Sequence, residues 1–79
     1  MGYHKATEHS CIYPNLRRWM NENRVNRYEL LERMGYVADG RSYYNIRDIL
    51  TGRVLPKKDK IDLLIKVTGL TYEELFYQE

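Results

Sequence analysis

The stretch NRYELLERMGYVADGRSYYNIRDILTG, residues 26–52, decides the fold. Its first part is marked as a capped helix. Asn26 stands as N-cap, Glu29 three positions on completes a capping-box pair, and Val25 before the cap can close over Leu30. Leu30, Leu31 and Met34 recur on one face, and Gly35 supplies the left-handed residue on which helices commonly end. A further helix is expected from Ser42 as cap, with Ile46, Ile49 and Leu50 inward, Tyr43 one turn earlier, and Gly52 at its close. Residues 36–41, between the two, hold the turn pair Asp39-Gly40. A hairpin over residues 36–44 about that pair is the rival local reading.

Outward from this centre, Leu16, Trp19 and Met20 fall at i, i+3 and i+4 and predict a helix over residues 15–23. Beyond Pro56, a fourth helix is expected over residues 58–68, with Ile61, Leu64 and Ile65 inward, Leu63 and Val67 widening the stripe, and Gly69 ending it. Thr71 and Glu74 form a second capping-box pair, with Leu70 before the cap poised over Leu75, so a last helix docks Leu75 and Phe76 onto the core. No stretch alternates with strand period, and the expected architecture is an all-α bundle of five short helices. Residues 1–13 show no period and are read as a flexible arm, leaving residues 14–79 as one domain.

A chain of 79 residues can close only one apolar core. With 43% hydrophobic and 30% charged residues, it has the balance of a folded domain and not of a disordered tail. The single cysteine, Cys11, excludes an internal disulfide and agrees with a reducing compartment. No run approaches the roughly 18 apolar residues of a membrane span, and the first residues lack the apolar stretch of a secretory signal, so a cytoplasmic location without membrane contact is expected. The net charge of +2 divides unevenly. Residues 14–58 carry ten Lys/Arg against five acids, and residues 59–79 carry two against five. Such a chain can turn a basic face to a polyanion while its acidic end meets solvent or a partner.

Chemistry of other kinds finds no support. His4, His9 and Cys11 leave a metal site one ligand short, and neither a phosphate-binding glycine loop nor a nucleophile motif occurs. No metal, cofactor, small-molecule substrate or catalysis is expected. The eight tyrosines suit a small core with wet tips better than a stacking platform for single strands.

Residues 26–35 resemble the second helix and terminal glycine of the lambda-repressor-like (Xre or Cro type) helix-turn-helix family. Residues 42–53 resemble its recognition helix, and residues 67–76 are similar to its closing helix, which commonly ends in an apolar residue followed by Phe. Two features depart from the family's pattern. Gly35 stands eleven positions before Ile46, a longer turn than usual, and Leu31 falls where a small residue, often Ala, is common.

The resemblance implies sequence-specific binding of double-stranded DNA by a small transcriptional regulator of the kind carried by phages and mobile elements. It assigns base reading to Tyr43, Tyr44, Asn45, Arg47 and Asp48. Arginine can pair with guanine, asparagine with adenine, and a carboxylate with the cytosine amine. Tyr43 is open between core and contact, and Asp48 between reading a base and pairing with an arginine. Phosphate contacts are expected from Arg27, Arg41, Ser42, Thr51, Arg53, Lys57 and Lys58. A homodimer is expected through the C-terminal region, with Leu70, Tyr72, Phe76 and Tyr77 as its apolar patch. The alternative is a protein-interaction module, an inhibitor or adaptor, that keeps the fold without reading DNA.

Overall fold

Pro14 opens α1 (Pro14–Glu22), where its missing N–H is one of those a helix leaves unpaired in any case. The other helices of this computed structural model, which describes residues 11–78, are α2 (Arg27–Arg33), α3 (Gly40–Leu50), α4 (Lys58–Thr68) and α5 (Tyr72–Leu75). No strand occurs among the described residues, which removes the hairpin reading of residues 36–44. The Cα radius of gyration, 11.6 Å, is that of a close-packed single domain of this length. None of these helices is long and apolar enough to cross a membrane.

Local chemistry sets the helix ends. Both expected capping boxes form: Asn26 accepts from the Glu29 N–H at 2.8 Å while Glu29 accepts from the Asn26 N–H at 2.9 Å, and Thr71 and Glu74 repeat the exchange. Gly35, Gly52 and Gly69 all take positive φ, as their placement predicts. At Gly52 the backbone requires glycine, because φ is +83°; an added Cβ would also lie 2.7 Å from Ile12 Cδ1, the end of a side chain exposed enough to swing aside. The turn from α1 to α2 closes in the same manner without glycine. Arg24 adopts φ 54°, its N–H donates to Asn21 O, and the Val25 N–H donates to Met20 O at 2.8 Å.

The start of α3 differs from expectation. Asp39, not Ser42, is the N-cap, and it accepts from the Ser42 N–H at 2.9 Å. Asp39-Gly40 is therefore a cap and first helical residue. Part of the long turn after Gly35 is thereby wound into the first turn of α3.

The core is built from the predicted stripes. Leu16, Leu30, Leu31, Ile46, Ile49, Leu50, Leu64 and Leu75 are fully buried, each contributing about 1.5–3 kcal/mol of transfer free energy. The helices pair as α2 on α3, α1 on α5 and α4 on α5. An additional bond from Asn15 Nδ2 to Glu74 O, 2.8 Å, fastens α1 to α5. Ile61, expected inward, is only half-buried and stands outside the core cluster. Residues 11–13, expected as the end of an arm, instead belong to the packed domain. Cys11 and Tyr13 are buried, the Ile12 N–H donates to Leu50 O at 2.8 Å, and the Tyr13 ring meets Phe76 edge-on at 5.1 Å. Burial pushes the Cys11 thiol above its ordinary pKa, which keeps it in the unreactive protonated form. The remainder of the expected arm, with His4 and His9, lies outside the described residues.

Candidate nucleic-acid interface

The packing of α2 on α3 leaves one side of α3 in solvent, and the side chains there fall into two groups. The first is aromatic and cationic. Tyr44 is 56% exposed, and the Arg47 guanidinium lies over its ring at 4.8 Å. Arg47 also pairs with Asp48 at 3.2 Å, so this carboxylate has an arginine partner in the protein alone. Such a partly exposed pair is weak and exchanges readily for a better-matched acceptor.

The second group reaches into the domain. Tyr43 stacks on Tyr28 with ring centroids 4.6 Å apart, and its hydroxyl accepts from Arg27 Nη1 at 3.2 Å. Tyr43 thus joins α2 to α3 and is half-buried, the packing side of its two expected roles. Arg27 is 9% exposed and held against this ring, so the expectation of a free phosphate contact is replaced by a positioning role. Asn45 is likewise engaged: its Oδ1 accepts from Lys60 Nζ at 2.7 Å, joining α3 to α4.

The expected phosphate contacts divide in the same way. Arg41, Arg53 and Lys57 are exposed, and so is Lys58, whose ammonium donates to Asp62 at 2.9 Å and is raised in pKa by that bond. Thr51 differs: its hydroxyl donates to Arg47 O at 2.8 Å, so it closes the end of α3. Ser42 is half-buried and bonded to Asp39, and so serves the cap that holds the helix start. What remains exposed on either side of the Tyr44–Arg47 pair along the chain is Arg41, in the first turn of α3, and Arg53, Lys57 and Lys58 after its end, the last of them paired with Asp62.

Of the expected dimer residues, Leu70 and Phe76 are half-buried against the core, whereas Tyr72 and Tyr77 are each 53% exposed. Among the described residues no cluster of His, Cys, Asp or Glu could hold a metal ion. Sequence reasoning missed Tyr28 and Lys60, which carry no local motif and gain their roles only from helices distant in the chain. Compared with protein-family models, with curated proteins and with solved structures, the chain matches none.

Proposed function

We propose that this protein is a lambda-repressor-like regulator that binds double-stranded DNA, with α2 and α3 as its helix-turn-helix unit and α3 laid in the major groove. The observation that carries the reading is the solvent side of α3, where Tyr44 and Arg47 stand between basic groups near both helix ends. Phosphate neutralisation by Arg41, Arg53, Lys57 and Lys58 holds the duplex, and Arg47 leaves Asp48 for a guanine edge. Arg27, through Tyr43, keeps α3 in place on α2.

Fluorescence anisotropy with mixed and selected duplexes tests this across a salt series. Affinity falls steeply with salt, and Lys57→Ala lowers the log–log slope by about 0.9. Arg47→Ala costs about 1–3 kcal/mol on the selected site and little on random DNA. Equal losses on both duplexes would move Arg47 to the backbone. A second reading, a protein-interaction module, draws on the mutual pairing of Arg47 with Asp48 and Asn45 with Lys60, and on the exposed Val37 and Leu55. Absence of duplex binding at low salt would favour it.

A further inference from the structure

Asn45 of α3 and Lys60 of α4 meet across two helices. Lys60, half-buried, donates from Nζ to Asn45 Oδ1 at 2.7 Å, and the same ammonium lies 5.2 Å from the centre of the Tyr36 ring. Tyr36 is itself tied down: its N–H donates to Leu31 O at 3.0 Å, and it packs against the core. An ammonium drawn to a ring face and to an amide oxygen has a defined place, although its carbon stem is long and flexible.

Chemistry fixes how the amide is turned. A lysine ammonium only donates, so the atom facing it is the oxygen of Asn45, and the NH2 group is the end turned away from Lys60. Asparagine reads adenine by using both ends at once, its oxygen accepting from the N6 amine and its nitrogen donating to N7. Here the first half of that exchange is contested. The oxygen retains a second lone pair, but an amine approaching it would stand beside the ammonium, and the two positive groups repel. Guanine meets no such obstacle, because its major-groove edge shows two acceptors, N7 and O6, and no donor.

We infer that Lys60 makes Asn45 a reader of guanine in place of adenine. Resting on the duplex-binding reading above, this assigns the base that α3 prefers at one position. Lys60 acts as a positioning residue: it turns the amide and opposes the wrong base, without itself having to touch DNA. Adenine at that position binds about tenfold more weakly than guanine, within the discrimination that a direct base contact supplies.

Selection of bound sequences from random duplexes, by the full chain and by Asn45→Ala side by side, finds the position that Asn45 reads. Fluorescence anisotropy at one salt concentration then compares guanine, adenine and a guanine whose N7 is replaced by carbon. The parent protein prefers guanine to adenine about tenfold and loses affinity when N7 is removed, a result that needs no variant of Lys60. Lys60→Met keeps the apolar stem without the ammonium and brings adenine level with guanine or above it. Lys60→Arg, which still donates, retains guanine. A role in packing alone would weaken all duplexes alike and leave the base ratio unmoved. An unchanged selection in Asn45→Ala, adenine preferred by the parent at that position, or a guanine preference that survives Lys60→Met overturns the assignment and leaves duplex binding standing. Absence of duplex binding at low salt removes both.

Discussion

Leu31, on α2, is 1% exposed and belongs to the cluster that holds Ile46, Ile49 and Leu50 of α3. Its side chain carries three carbons more than alanine, and they are buried in that cluster. Truncation to alanine therefore opens a void. Leu31→Ala is expected to cost about 2–5 kcal/mol, read from urea denaturation, the range for leucines whose surroundings collapse only in part. A loss below about 1 kcal/mol would mean that α2 and α3 close over the gap, and that the larger residue is incidental to their spacing. Arg27 teaches a related lesson at the same scale. The family resemblance implies a phosphate contact for it, but the Tyr43 hydroxyl and ring are met first.

At the scale of the element, the start of α3 rests on Asp39. Hydrogen bonds from the Ser42 backbone and side chain hold its carboxyl below the ordinary value of 3.8. A carboxylate depressed in the folded state contributes stability that is fully present above that ordinary value and is lost as pH falls through the folded one. Acid should therefore loosen the first turn of α3. Asp39→Asn keeps an accepting oxygen and removes the titration, so its helicity, followed by circular dichroism below the ordinary carboxylate range, falls less than that of the parent. Identical acid curves for the two proteins would exclude this cap as a source. The same residue explains why the helix start was misplaced from sequence. Asp39 and Ser42 are both good caps, and Asp-Gly is both a turn pair and a workable cap with its first helical residue.

At the scale of the molecule, the proposed regulator is expected to meet a second copy through its acidic C-terminal part. Tyr72 and Tyr77 stand out into solvent, while Leu70 and Phe76 lean on the core beneath them. A single recognition helix covers few base pairs, and pairing two domains on neighbouring half-sites extends the site. Sedimentation at micromolar concentration is expected to give a dimer on a two-half-site duplex, and Tyr77→Asp to return it to the monomer with its helicity unchanged. A parent protein that stays monomeric with and without DNA, and binds one half-site as tightly as two, would remove the dimer.

The starts of α2 and α5, the glycines that close α2, α3 and α4, and most of the buried stripes are legible in the sequence alone. Each depends on atoms within about one helical turn, where covalent geometry leaves few alternatives. The tertiary structure alone decided that Cys11 and Tyr13 join the core, and that Arg27 rests on Tyr43 and Lys60 on Asn45. Those contacts are made by long polar or aromatic side chains across helices far apart in the chain. Such side chains can satisfy themselves with water, phosphate or one another equally well by chemistry, and the choice is made only when packing brings one partner within reach.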